Sequence, residues 1–138
     1  MTVGLRVDFL WYPIGTGDFF HSFFSTICYN LEHKIWGSKY LLIMNELYQG
    51  KVKCHDIKKI QKELFSIQKK LSKLPPEKVV WDIEDLEKKP PWGNNISTDI
   101  KNLADYFITS EGDNLIEIIH EAFVQSEIEH QDVIVELF

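Results

Sequence analysis

Residues 2–32 read TVGLRVDFLWYPIGTGDFFHSFFSTICYNLE, and this stretch decides the fold class. Apolar residues alternate with other residues over positions 2–11, a spacing that places one set of side chains on the same face of a half-buried β-strand. Pro13 and Gly15 are expected to end this strand. The residues on its predicted buried face are Val3, Leu5, Val7, Phe9 and Trp11.

A helix is predicted directly after this strand. Thr16 or Asp18 can cap its first turn, because either side chain can accept a hydrogen bond from a free backbone N–H. The apolar residues that follow recur at helical spacing, which favours a helix packed against a sheet. They are Phe19, Phe20, Phe23, Phe24, Ile27 and Leu31.

The rest of the chain mixes helices and strands without a regular alternation. Helices are predicted over residues 38–50, 56–73 and 115–130, with Ser110 or Asp113 capping the last, and residues 98–107 are expected to form a short helix or at least one turn of a helix. Strands are predicted over residues 78–83 and 132–138, and residues 106–114 are predicted to form a strand that leads into a turn. Because these elements do not repeat as strand–helix–strand units, we expect one α+β domain over residues 1–138, with a small, mainly antiparallel sheet packed by several helices.

The composition is that of a chain that folds without metal ions or disulfides. Of its 138 residues, 44% are hydrophobic, and Cys28 and Cys54 are the only cysteines, which favours a reducing compartment. The first residues lack the apolar block of a signal peptide, and there is no run of about 18 apolar residues that could span a membrane. We therefore expect a cytoplasmic protein with no cofactor and no membrane contact.

The net charge of −6 is distributed unevenly. Residues 51–81 carry +6, with a lysine-rich helix that should be a solvated face, whereas residues 82–138 carry fourteen acids and three bases, a balance of −11. This excess argues against direct nucleic-acid binding, because phosphate contacts need a basic surface. It suits a basic protein partner, although the same acids can also serve only to keep the chain soluble.

Two of the four tryptophans lie within residues 81–97, WDIEDLEKKPPWGNNIS. The composition of about half of this stretch is typical of a loop. Trp81 follows two valines and is expected in the core. Trp92 stands between a proline pair and Gly93, which should give its loop a defined shape. Trp92 can either fill the core, which we favour because large aromatic side chains are usually buried, or form a recognition surface with the neighbouring acids.

Two groups of residues offer an alternative reading as a small enzyme or a metal-binding protein. Asp82, Glu84 and Asp85 form a carboxylate cluster of the kind that can do acid–base chemistry. His21 and Cys28 lie seven residues apart on one predicted helix. The patterns are incomplete, because the chain has no Cys-x-x-Cys motif and no histidine pair four residues apart. The favoured interpretation is therefore no metal site and no catalytic residue.

Four long segments together resemble the immunity protein 70 family, and the resemblance covers about residues 1–120. The segments are VGLRVDFLWYPIGTGDFFHSFFSTICYNLE (3–32), IMNELYQG (43–50), WDIEDLEKKPPWGNNIS (81–97) and YFITSEGDNLIEI (106–118). Members are small α+β bacterial proteins, encoded beside polymorphic toxins and thought to neutralise them. The resemblance implies a non-enzymatic antitoxin that binds the toxin domain of a cognate partner.

The resemblance assigns no contact residues, so these are predicted from the residues themselves. Toxins in such systems are often nucleases, and an acidic surface could occupy a basic nuclease cleft in place of phosphates. One expected surface has Trp92 as its anchor, because interfaces concentrate binding energy in buried aromatic side chains. Glu84, Asp85 and Glu87 would surround Trp92. The other candidate surface is the last helix, through Glu117, Glu121, Glu127 and Glu129.

Overall fold

The computed structural model describes residues 2–137, and over these residues its centre is a four-stranded antiparallel sheet with strand order β2-β1-β4-β3. The strands are β1 (Val3–Val7), β2 (Leu10–Gly15), β3 (Lys51–Val52) and β4 (Val133–Leu137). The α-helices of this part of the chain are α1 (Gly17–Leu31), α2 (Ile57–Leu71) and α3 (Leu115–Glu129). The predicted α+β class with an antiparallel sheet is confirmed.

The start of the chain folds as a β-hairpin, so the prediction of one strand over residues 2–11 is wrong. Val7 pairs with Leu10, and the two residues between them make the turn. Asp8 adopts a positive φ of 54°, which aspartate tolerates better than most residues. The turn directs Phe9 into solvent, where 94% of its surface is exposed.

The hairpin also moves Trp11 to the face of the sheet opposite the core. Its ring lies over Gly4, where a Cβ atom would stand 2.4 Å from a ring carbon, so this position requires glycine. Pro13 lies inside β2 and does not end the strand. β2 is an edge strand, where a residue without a backbone N–H is tolerated.

Side-chain oxygens fix the elements that follow. Thr16, one of the two predicted caps, accepts a hydrogen bond from the backbone N–H of Phe19 at the start of α1. The predicted helix 38–50 is π-helical over Leu42–Leu47. Glu63 of α2 accepts the backbone N–H groups of Leu42 and Ile43, which have no partner inside this short helix.

The stretch between α2 and α3 contains less regular structure than expected. Lys78 ends a short 3-10 helix, Pro76–Lys78, and residues 79–83 form turns and extended backbone, so the strand predicted over residues 78–83 is wrong. Residues 98–107 form turns and not a regular short helix, so only the lesser of the two predicted outcomes is found there. The strand predicted near residue 106 is reduced to a single bridge between Ile108 and Asn114. Asn114 caps α3 by accepting the N–H of Glu117, which replaces the predicted caps Ser110 and Asp113.

The core lies between one face of the sheet and the three helices. α3 crosses the sheet and contacts β1, β2 and β4, while α2 packs on α3 and α1 contacts α2 and β2. The apolar stripe predicted for α2 is buried along the length of the helix. The largest fully buried side chains include Phe23, Phe24, Phe107 and Phe123.

Candidate partner-binding surface

Three hydroxyl side chains of α1 hold the segment that leads into residues 82–92. Ser22 and Thr26 both donate to the carbonyl oxygen of Val80, at 2.8 and 3.2 Å, and Thr26 accepts the N–H of Val80 at 3.0 Å. Ser25 accepts the N–H of Ile83 at 3.1 Å. All three hydroxyl residues are fully buried. They give residues 80–83 the backbone partners that a neighbouring strand would otherwise supply.

Asp82 is the first residue of the segment that we call the acidic loop, residues 82–92. Its Oδ1 atom accepts the backbone N–H of Glu84 at 2.9 Å and faces His21 Nε2 at 3.2 Å. The pKa of the Asp82 carboxyl is lowered mainly by the hydrogen bond from Glu84, with smaller contributions from His21 and Lys88. Asp82 therefore stays ionised and closes a tight turn at the start of the loop.

His21 links the acidic loop to an aromatic cluster. Its Nε2 donates to Asp82, because an ionised carboxylate can only accept, and its Nδ1 lies 2.9 Å from the Tyr48 hydroxyl. Tyr48 packs edge-on against Trp36, with ring centroids 4.7 Å apart. Burial raises the pKa of Tyr48, and the carboxylates of Glu84 and Asp82 raise it further.

Trp92 stands at the other end of the acidic loop, at the surface. Its indole N–H donates to the Tyr106 hydroxyl at 2.8 Å, and its ring meets Trp81 edge-on at a centroid distance of 5.4 Å. With 37% of its surface exposed, Trp92 does not fill the core, so the favoured interpretation as a core plug is wrong. Trp81, expected in the core, is partly buried and packs against the core's edge.

The acids between these two ends point into solvent. Glu84, Asp85 and Glu87 are exposed, and Asp85 accepts the backbone N–H of Glu87 at 3.2 Å in a second tight turn. Leu86 is 48% exposed between them. The structure thus brings Glu84, Asp85 and Glu87 onto one short, tightly turned segment that ends in a partly exposed tryptophan.

Glu117 and Glu121 lie elsewhere, on the exposed face of α3. Within residues 2–137 they form no hydrogen bond or ion pair with the acidic loop through their carboxylates. The carboxylate of Glu121 faces Tyr12 of β2, whose pKa is raised mainly by burial and further by this charge. The two predicted surfaces are therefore separate in the fold.

The groups proposed for a metal-binding role do not come together as a metal site. The described part of the chain has no group of three or more histidine, cysteine or acidic side chains that could hold a metal ion. Cys28 is buried, and burial raises the pKa of its thiol, which disfavours the thiolate that a metal needs. His21 is instead paired with Tyr48 and Asp82. The alternative function has no support here.

Sequence reasoning missed the residues that hold this surface in place. Tyr48 and Tyr106 come from distant parts of the chain, and no local pattern joins them to residues 82–92. The hydroxyl residues of α1, in contrast, could have been recognised from their spacing in the sequence. Ser22, Ser25 and Thr26 recur three and four residues apart within a helix that is otherwise phenylalanine-rich, so they share one face.

Comparisons with known proteins identify the family. The family model described as immunity protein 70 matches residues 5–135. The match extends past the resemblance seen up to about residue 120, and it includes most of β4. No curated protein and no solved structure gives a significant match. No helix within residues 2–137 has the length and apolarity to cross a bilayer. Since the match spans nearly all of the sequence, the chain belongs to the immunity protein 70 family, whose name denotes immunity against a toxin.

Proposed function

We propose that this chain neutralises its cognate toxin by binding it through the acidic loop. The observation that carries the proposal is the attachment of this loop to α1. Three buried hydroxyls hold the approach to a segment whose own acidic side chains are exposed. A loop fixed in this way loses little conformational entropy on binding, which favours affinity.

Trp92 is proposed as the anchor of the interface. Its N–H is already satisfied by Tyr106 and its ring is braced by Trp81, so the exposed part of the ring is held in one position. Rigid, partly exposed tryptophans are frequent hot spots of protein interfaces. Glu84, Asp85 and Glu87 would surround it and select a basic partner.

The partner is proposed to be a toxin domain with a basic active-site cleft, such as a nuclease. Residues 82–138 carry a balance of −11, and the exposed carboxylates of the acidic loop could occupy the positions of substrate phosphates. Binding would then occlude the active site without any chemistry by the immunity protein. We place this encounter in the cytoplasm, where a nuclease toxin would find its substrate.

The acidic face of α3 is the second candidate surface. Glu117 and Glu121 are exposed there, and Val124 on the same helix is 46% exposed, so this face also combines acids with apolar area. In the part of the chain that the structure describes, neither of these carboxylates closes a tight turn as those of Asp82 and Asp85 do. The acidic loop is therefore the surface that we propose first.

The test is a titration of the toxin domain encoded beside this gene with the purified protein and its variants. We expect Trp92→Ala and Glu84→Lys each to weaken binding by about tenfold or more. Substitution of a hot-spot residue commonly costs about 2 kcal/mol of binding free energy. Phe65→Ala is the matched control for Trp92→Ala, because Phe65 is an aromatic residue on α2 that is 60% exposed. The control should bind like the wild type.

The same titration separates the two candidate surfaces, and a cleavage assay tests the nuclease assignment. If the pair Glu117→Lys and Glu121→Lys abolishes binding while Glu84→Lys does not, the interface is on α3 and the loop proposal is wrong. Cleavage of a labelled oligonucleotide by the toxin, measured with and without the immunity protein, tests the nuclease assignment. A toxin that cleaves no nucleic acid contradicts that part of the proposal.

A further inference from the structure

The acidic loop has a second face, which lines an open groove. The groove lies between residues 88–96 and the segment 76–80, and its volume is about 830 Å³. Its lining includes Val79, Val80, Pro90 and Ile96, so part of its wall is apolar. This volume lies within the range of about 300–1,000 Å³ that is typical of ligand-binding clefts.

Lysines surround this groove, although it borders the acidic part of the chain. Lys78, Lys88 and Lys89 line it and are exposed. Lys34 adds a fourth positive charge close by, with its Nζ 4.8 Å from the centre of the Tyr29 ring in the groove wall. The local charge is therefore opposite to that of Glu84, Asp85 and Glu87.

The acids near the groove leave much of this positive charge available. Lys88 Nζ lies 3.6 Å from the Asp82 carboxylate, and Glu77 is the acidic residue in the lining. In the part of the chain that the structure describes, Lys78 and Lys89 form no salt bridge. Two of the three lining lysines can thus pair with a carboxylate supplied from outside.

We propose that this groove binds an acidic, extended segment of the partner protein, an inference that rests on the proposed function. Carboxylates of the segment would pair with Lys78 and Lys89, and its apolar side chains would cover Val79 and Ile96. The groove shares Leu86, Lys88, Lys89 and Pro90 with the acidic loop, so a partner seated on the loop would reach it directly. Contacts of both charge signs on one short segment would also fix the orientation of the partner. A partner bound in a shifted or reversed position would place charges of the same sign next to each other.

The direct test uses two labelled peptides and fluorescence anisotropy. One peptide alternates glutamate and leucine, and the other carries lysine in place of every glutamate. We expect the acidic peptide to bind the wild type, and the double variant Lys78→Glu, Lys89→Glu to weaken that binding by about tenfold or more. The matched control is Lys58→Glu, Lys62→Glu on the exposed face of α2, which changes the net charge equally. It should weaken binding by less than about twofold.

Three results of this test would overturn the proposal. The first is the absence of binding of the acidic peptide, or equal binding of the basic one. The second is an equal loss in the two double variants, which would show a response to net charge alone. The third is a wild-type protein that sediments as a dimer and becomes a monomer in the groove variant, because the occupant would then be a second copy of this chain.

Titration against the toxin domain distinguishes failure of this inference from failure of the proposed function. Toxin binding that is weakened by Glu84→Lys and also by the groove variant supports both. Toxin binding that is weakened by Glu84→Lys and unchanged in the groove variant overturns the groove inference and leaves the function intact. An absence of toxin binding refutes the function and, with it, the identity of the groove's partner.

Discussion

His120 shows how a single side chain can set the acid sensitivity of the fold. It lies partly buried on α3 against the ring of Phe65, with a centroid distance of 4.5 Å. Its Nε2 atom is buried and has no hydrogen-bond partner within residues 2–137. Burial lowers the pKa of His120, and the carboxylate of Glu117 opposes this only in part.

The lowered pKa predicts a loss of stability at mildly acidic pH. Below the ordinary pKa of histidine the unfolded chain binds a proton that the folded chain resists, so stability falls as the pH drops from about 7 to about 5. His120→Leu removes this proton-binding group. We therefore expect the free energy of unfolding of the variant to fall less than that of the wild type over the same pH range. Urea unfolding at the two pH values measures the difference.

His55→Leu is the control for this prediction. The side chain of His55 is 72% exposed, and its Nε2 atom lies 3.6 Å from a carboxylate oxygen of Asp56, a type of surface contact that contributes little to stability. The free energy of unfolding of His55→Leu should therefore fall between the two pH values by as much as that of the wild type. If the His120→Leu variant loses as much stability as the wild type on acidification, the assignment to His120 is wrong.

At the scale of elements, α1 is more than a core helix, because its buried hydroxyls replace a strand partner for residues 80–83. Thr26→Val keeps the shape of the side chain and removes its hydroxyl. The N–H of Val80 then loses its acceptor in a buried site. We expect a destabilisation of about 1–3 kcal/mol, the usual cost of an unsatisfied buried group, and faster proteolytic cleavage in the acidic loop. Chemical denaturation and limited proteolysis measure the two effects.

Thr98→Val makes the same chemical change at an exposed position and serves as the control. Its stability should stay within about 0.5 kcal/mol of the wild type, as is usual for surface substitutions. Equal effects of the two substitutions would show that the hydroxyl of Thr26 does not hold the loop. A stable Thr26→Val protein with normal resistance to protease would lead to the same conclusion.

The elements that the sequence predicts well are those held by local patterns. The helices α1, α2 and α3 have apolar stripes that repeat along each helix, and α2 keeps its predicted stripe buried. The hairpin was missed because alternation continues through Asp8 and Phe9, which do not form one of the turn pairs rich in glycine or asparagine. Residues 78–83 look like a strand, but their partners are hydroxyls of α1 some 54 to 58 positions earlier in the chain.

At the scale of the whole molecule, the surface divides into regions of opposite charge. The predicted acids of the loop proved to be exposed and clustered, which the sequence alone could indicate from their spacing. The contacts that hold Trp92 could not be predicted, because Tyr106 meets the loop only in the folded chain. The lysine-lined groove could not be predicted either, because it forms where residues 76–80 and Tyr106 meet the loop. Charge balance along the chain therefore predicts the net sign of a region of this protein but not the detail of its surface.

This charge distribution makes the salt dependence of toxin binding a test of the whole arrangement. Added salt screens exposed charges, because the Debye length falls from about 10 Å at 0.1 M to about 3 Å at 1 M. If the acidic loop attracts a basic toxin, the association rate of the wild type should fall by about tenfold or more between low and high salt, and the dissociation rate should change less. Stopped-flow kinetics over a salt series measures both rates. Glu84→Lys should make the association rate less dependent on salt, whereas Lys58→Glu on the exposed face of α2 should not. An association rate that is independent of salt in the wild type would contradict an electrostatic encounter and would leave Trp92, with Leu86 beside the loop acids, as the apolar basis of any interface.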